Sequence, residues 1–157
     1  MAGSSDIDTS DVRKAIDRVE EIDDNVRINR FREASNVNNK DRYSGMENPY
    51  TDDTIVMDVK AKKDMNFARV HGEENQARAW MLRNRNEIEG LSPVEIKEKY
   101  SLPNEPAYVS SVDVPEGTSI RVGDTAANFG GKQGATQYEL LEKLSPERFV
   151  NEQDLPV

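Results

Sequence analysis

The stretch from Asn128 to Leu141, NFGGKQGATQYELL, decides how the rest of the chain is read. Gly130, Gly131 and Gly134 crowd its first half, where a backbone can approach a ligand closely or adopt positive φ. Ala135 to Leu141 then alternates and predicts a strand. Side chains two apart on a strand project from one face. Gln137 and Glu139 therefore share a face, and set an amide that donates and accepts beside a carboxylate. Tyr138 and Leu140 take the other face, toward a core. The same spacing also fits a solvent-facing pair on an edge strand.

Working outward, Ala107 to Val114 (AYVSSVDV) reads as a strand, Pro115 to Thr118 as a turn, and Ser119 to Val122 as a strand again. Further upstream, Ser92-Pro93-Val94-Glu95 predicts a helix start. Ser92 is the N-cap, Pro93 takes the first helical position and Glu95 completes a capping box. That helix ends before Leu102-Pro103. Thr54 to Val59 and Met65 to His71 predict strands, Glu73 to Asn84 a helix, and Phe149-Val150 a last short strand. Strands and helices mix without a regular βαβ repeat, so the expected class is α+β.

The N-terminal third reads differently. Val12, Ala15, Ile16, Val19 and Ile22 recur at helical spacing between Ser10 and Asp24, with Ser10 or Thr9 as N-cap. The apolar stripe is narrow, so this helix needs a surface to pack on: its own domain, an upstream region or a neutralising partner. Asn36 to Asp53 is dominated by polar and turn-forming residues and reads as linker or irregular surface. The expected division is 1–50, helix and linker, and 51–157, the functional domain.

Composition narrows the chemistry. A length of 157 residues suits one domain with a real core. The formal charge of −9 argues against a surface that tracks a phosphate backbone, and is compatible with a small ligand pocket or a local basic patch. With no cysteine there is no disulfide framework, thiolate metal site or thiol nucleophile. One histidine, His71, would have to serve every role that needs one, so no metal site is expected. No apolar run approaches the ~20 residues that span a bilayer, and Met1 to Ser5 lacks the features of a secretory signal.

Arg69 stands near the end of the Met65–His71 strand, which leads into Gly72. It suits either a bidentate anion contact or a surface ion pair with Glu73 or Glu74. His71 follows on the same face, as a ligand contact or a strand-end cap. Trp80, four residues after Gln76, suits either stacking on a planar ligand ring or a core anchor, and the core reading is preferred. Phe129, beside the glycine loop, is the better stacking wall.

Two resemblances give these residues a shared purpose. The run VPEGTSIRVG (Val114 to Gly123), followed by ANFGGKQGATQYELL, resembles the closing segment of the tuberculosis-necrotizing-toxin family of NAD glycohydrolases. Ser101-Leu102-Pro103 resembles that family's Leu-Pro element. Val112 to Thr118 followed by Gln137-x-Glu139 also resembles mono-ADP-ribosyltransferase toxins. Both families share a fold, so the resemblance implies an ADP-ribosyltransferase-like split mixed β-sheet with flanking helices, preceded by the N-terminal helix.

The resemblance further implies hydrolysis of NAD to nicotinamide and ADP-ribose, with NAD as substrate and no separate cofactor. Arg69 would hold the pyrophosphate, Gln137 would orient the nicotinamide ribose, and His71 would reach a ribose or nicotinamide group. Glu139 would stabilise positive charge at the anomeric carbon, because the reaction passes through an oxocarbenium-like state. Phe129, Gly130, Gly131 and Gly134 would close over the dinucleotide and exclude water. A delivered or secreted effector acting in a target-cell cytosol is implied, together with a cognate immunity protein. The transferases' aromatic-x-Ser-Thr-Ser strand has no counterpart in register, since Ala79 to Arg83 occupies its place. That favours glycohydrolase over the alternative, transfer to a protein or RNA acceptor. A toxin ribonuclease using His71, Arg69 and the lysines at 60, 62 and 63 is the second alternative.

Overall fold

The alternation in IVMDVKA sends Ile55, Met57 and Val59 to one side of a strand and Val56 and Asp58 to the other, and all five are buried. A strand covered on both faces needs layers on both sides. The structure, a computed structural model, describes residues 13, 25–38, 43, 48–51, 54–73, 79–128, 131 and 135–155. The expected helix from Ser10 to Asp24 lies outside these residues apart from Arg13, as do Gln76, Phe129, Gly130 and Gly134.

The described elements are β1 (Val26–Glu33), α1 (Ala34–Asn38), β2 (Ile55–Ala61), β3 (Met65–His71), β4 (Trp80–Met81), α2 (Pro93–Tyr100), β5 (Tyr108–Val114), β6 (Ser119–Asp124), β7 (Thr136–Leu140) and β8 (Phe149–Asp154). They build an α+β fold of two sheets, one in the order β1-β2-β6-β7-β4 and one in the order β3-β5-β8. Every described strand pairing is antiparallel, where a mixed sheet was expected. Of these pairings, only β1–β2 and β6–β7 pair strands consecutive in the chain; β2–β6, β3–β5, β4–β7 and β5–β8 join strands separated by other elements. Among the described residues, the sheets are joined at a seam where Ala68 on β3 and Leu82 after β4 exchange backbone hydrogen bonds of 2.9 and 2.8 Å.

Among the described residues, three apolar clusters fill the layers. Between the sheets lie Met57, Val59, Phe67, Val112, Ile120, Val122, Tyr138 and Leu140. On the outer face of the three-stranded sheet, Ile96 and Tyr100 of α2 pack on Ala68, Val70 and Val109. The outer face of the five-stranded sheet is covered by Ala34, Val37, Tyr43 and Tyr50 over Val56. Each cluster removes apolar surface from water, the dominant favourable contribution to folding.

The strands at 65–71 and 108–114 and the capped helix follow the sequence expectation. Ser92 Oγ accepts from Glu95 N–H at 3.2 Å, while Glu95 Oε1 accepts from Ser92 N–H at 2.9 Å. Two segments depart from it. Residues 36–53, expected as linker, include the end of α1 and place Tyr43 and Tyr50 in the core. Val26–Glu33, which carries no clear alternation, is an edge strand paired along β2. Together they put residues from before position 50 into the same sheet and core as those after it. Trp80 and Met81, expected on a helix, pair with Glu139 and Tyr138 as strand β4. Backbone pairing at the open edge of β7 outweighs the weak helical preference of that segment.

Candidate active site

β3 ends at the seam, and its last residues are buried: Arg69 is 6% exposed and His71 2%. Arg69 Nη1 donates to the Trp80 carbonyl at 2.6 Å, tying the three-stranded sheet to the edge of the five-stranded one. Around this tie opens a cleft of about 1020 Å³. One wall is the end of β3, from Arg69 to Glu73, and the opposite wall is the segment Tyr100 to Pro106 that follows α2. Trp80, Thr125, Asn128, Pro49 and Gln137 also line it, together with Ala79 and Ala126.

Gln137 reaches the cleft from the start of β7, 9% exposed. Its Nε2 donates to the Pro49 carbonyl at 2.7 Å. An amide held by its nitrogen presents a defined acceptor oxygen, because a flip would set two acceptors against each other. Arg69 and Gln137, on different sheets, are thus brought to one cavity.

Glu139 is not. It shares a strand face with Gln137, as the spacing required, yet it lies under the aromatic layer at 1% exposure and does not line the cleft. Its Oε1 accepts from the hydroxyls of Tyr43 at 2.5 Å and Tyr50 at 2.8 Å. The expected contact between Glu139 and a reacting sugar is therefore corrected: two tyrosines cover the carboxylate. Spacing along β7 could not reveal this, because the cover comes from residues 89 and 96 positions away.

His71 borders the cleft, but its ring is engaged elsewhere. Nδ1 lies 2.7 Å from the Gly72 carbonyl and Nε2 lies 2.8 Å from Ser110 Oγ. A carbonyl only accepts, so Nδ1 carries the proton and Nε2 accepts from the serine. Burial pushes the imidazole pKa below its ordinary value, and the nearby Arg69 charge adds to that, so the neutral ring is favoured. The ring also stacks on Tyr108, with centroids 5.7 Å apart.

The glycine loop is described at Gly131 and at its two ends. Gly131 packs on the C-terminal end of α2: a Cβ there would fall 2.7 Å from Ser101 Oγ and 2.8 Å from Ser101 Cα. Asn128 Nδ2 donates to the Asn48 carbonyl at 2.8 Å, and Thr125 N–H to the Ala135 carbonyl at 2.8 Å. The loop therefore springs from the cleft rim.

Residues that sequence reading did not place here include Pro49, Tyr100 and Thr125. Two tyrosines and a proline in an otherwise polar segment were the available signal for the first. Trp80, expected as a core anchor, is half-buried and does both jobs, packing on Tyr50 with centroids 6.0 Å apart while lining the cleft. Thr125 Oγ1 is buried without a hydrogen-bond partner among the described residues, so it is a desolvated polar group in the cleft wall. Among the described residues, no group of three or more acidic or histidine side chains is arranged to hold a metal ion.

No family model and no curated protein matches this sequence. Among solved structures, the chain is similar to the structure of Tne2 in complex with Tni2. The superposition has a TM-score of 0.50 at 17% identity, and covers 65% of this chain and 93% of the matched one. At that identity the likeness is one of fold, and it supports the α+β two-sheet architecture.

Proposed function

We propose that this chain is a toxin domain that hydrolyses NAD to nicotinamide and ADP-ribose. The observation that carries the reading is the meeting of the Arg69 guanidinium and the Gln137 amide, from separate sheets, at one cleft. Its volume of about 1020 Å³ suits a ligand at the large end of the small-molecule range. A dinucleotide is such a ligand, carrying a pyrophosphate for a guanidinium and ribose hydroxyls for an amide.

In this scheme Arg69, oriented by its bond to the Trp80 carbonyl, binds the pyrophosphate. Gln137 Oε1 accepts from a hydroxyl of the nicotinamide ribose, and that contact strengthens as the sugar becomes electron-poor. Trp80 offers the half-exposed aromatic face against which a planar ring can lie. Water attacks the anomeric carbon as nicotinamide leaves. Neutral His71 holds the end of β3 through Gly72 and Ser110, so its role is to keep Arg69 in place.

A toxin of this kind needs a cognate immunity protein in the producing cell, and would act as a delivered effector in a target-cell cytosol, where NAD is abundant. The fold neighbour Tne2 is solved in complex with a second protein, Tni2, which supports a proteinaceous partner here.

The test is release of free nicotinamide from NAD by the purified protein. Gln137→Ala should lower turnover by roughly 100-fold or more, and Arg69→Ala should raise KM and lower kcat/KM. Full turnover in Gln137→Ala overturns the assignment. Label from NAD appearing on a protein or RNA, with little free ADP-ribose, would replace hydrolysis by group transfer.

A further inference from the structure

Glu139 stands outside the cleft, yet its contacts lead back to it. Tyr50, which donates its hydroxyl to Glu139 at 2.8 Å, is also fixed through its main chain. Its N–H donates to Asn38 Oδ1 at 3.2 Å, and Asn38 Nδ2 donates to its carbonyl at 2.8 Å. Its ring lies against the backbone of Gly123, where an added Cβ would fall 2.6 Å from Tyr50 Cδ1 and from Val56 Cγ1. The residue before Tyr50 is Pro49, whose φ is locked by its ring. The Pro49 carbonyl accepts from Gln137 Nε2 at 2.7 Å and from the Ala126 N–H at 3.1 Å.

From this chain of contacts we infer that Glu139 is a positioning residue, acting through Tyr50 and Pro49 on the Gln137 amide. The inference rests on the reading of Gln137 as the ribose-orienting group. The two polar residues of the Gln-x-Glu motif work in series: the carboxylate holds a tyrosine, and the tyrosine holds the peptide carbonyl that tethers the amide. The tether decides which end of the amide meets a ligand. If the Pro49 carbonyl moves, the amide rotates and a donor replaces the acceptor at the sugar. Burying a carboxylate is costly unless it is compensated, and hydroxyls of Tyr43 and Tyr50 supply hydrogen bonds to it here.

Tyr50→Phe removes one oxygen and leaves the ring packing intact, so it is the variant to test. The side-chain amide of Gln137 is followed by nitrogen-15 NMR, assigned by its disappearance in Gln137→Ala. In the wild type its protons should exchange slowly. In Tyr50→Phe they should exchange at solvent rates, with kcat for nicotinamide release falling on the order of tenfold and KM changing by less than about twofold. Glu139→Gln keeps an acceptor oxygen for the tyrosines and should retain most of the protection, while Gly123→Ala, which pushes on the Tyr50 ring, should lose it. Val112→Ala in the inter-sheet core should lower stability and leave the amide protected. An amide that exchanges freely in the wild type, or stays protected in Tyr50→Phe, overturns the inference. A wild type that shows the tether but releases no nicotinamide overturns the catalytic reading and leaves the tether standing.

Discussion

Asp58 on β2 and Arg121 on β6 are cross-strand partners that close a two-point ion pair, with Nε to Oδ1 at 2.7 Å and Nη2 to Oδ2 at 3.3 Å. The pair belongs to a row running across the five-stranded sheet. Arg30 faces Asp58, Arg121 faces Glu139, and Glu139 faces Trp80 at the seam. Charge alternates along that row, so each ionised group has an opposite neighbour. The third guanidinium nitrogen, Nη1, donates to the Tyr43 hydroxyl at 2.9 Å, which in turn donates to Glu139. A polar network thus links Asp58, Arg121, Tyr43 and Glu139 across the sheet, and the row ends at Trp80 in the cleft wall.

Burial alone would raise the Asp58 carboxyl pKa, but hydrogen bonds from Arg121 and Arg30 outweigh it and hold the group below its ordinary value. A carboxyl depressed in the folded state stabilises the protein above its unfolded pKa of about 3.9, and that contribution is lost as pH falls through the folded value. Asp58→Asn should cost about 3–5 kcal/mol near neutral pH, because it strands a buried guanidinium. The difference in stability from wild type, measured by urea unfolding, should shrink below about pH 4. A difference that stays constant to pH 2 contradicts the pairing.

Tyr43 has its pKa raised to about 12, first by burial and then by the Glu139 charge, and Tyr50 is raised by the same causes. Groups raised in this way stabilise the fold below the unfolded tyrosine value of about 10, and the contribution drains away as pH rises toward the folded value. Absorbance of phenolate should therefore lag in the native protein, and stability should fall between about pH 10 and pH 12. Tyr43→Phe should flatten that fall. Normal titration of every tyrosine in the folded protein would refute the burial of the pair.

His71 has its pKa lowered, chiefly by burial. Its neutral form is the one favoured by folding, so its contribution is present above about pH 6.5 and is lost as pH falls through the folded value. The ring protons should titrate by NMR with a midpoint below about 6.5, and Nδ1 should carry the proton in the neutral state. A midpoint above that value would point to a charged imidazole paired with Glu152, which lies 3.8 Å from Nε2.

Gly131→Ala should disturb the rim of the cleft. The new Cβ would meet Ser101 Cα at 2.8 Å and the Glu98 carbonyl oxygen at 2.9 Å, both backbone atoms that cannot swing aside. Ser101 already holds a left-handed conformation with φ 52°, so the end of α2 has little freedom to retreat. The expected cost is about 1–3 kcal/mol, read as a lower melting temperature, together with slower nicotinamide release. An unchanged melting temperature would show that the loop does not pack there.

The capped helix, the β3 and β5 strands and the shared face of Gln137 and Glu139 were all legible in the sequence, because each depends on short-range periodicity or on a local hydrogen bond. Arg69 could be singled out as a strand residue ahead of a glycine, but nothing local tied it to Trp80. β1 was hidden because an edge strand exposed on one side, and carrying Arg27, Asn29, Arg30 and Arg32, has no apolar alternation to read. β4 was hidden because two residues suffice once a neighbouring strand offers its open edge.

What the sequence determined on its own is which side chains travel together: a strand period of two puts Gln137 and Glu139 on one face whatever surrounds them. What only the tertiary structure decided is what that face meets. Pro49 and an open cleft stand over the first residue, while Tyr43 and Tyr50 stand over the second. The difference arises from packing between segments nearly a hundred residues apart, and no local periodicity carries information over that distance.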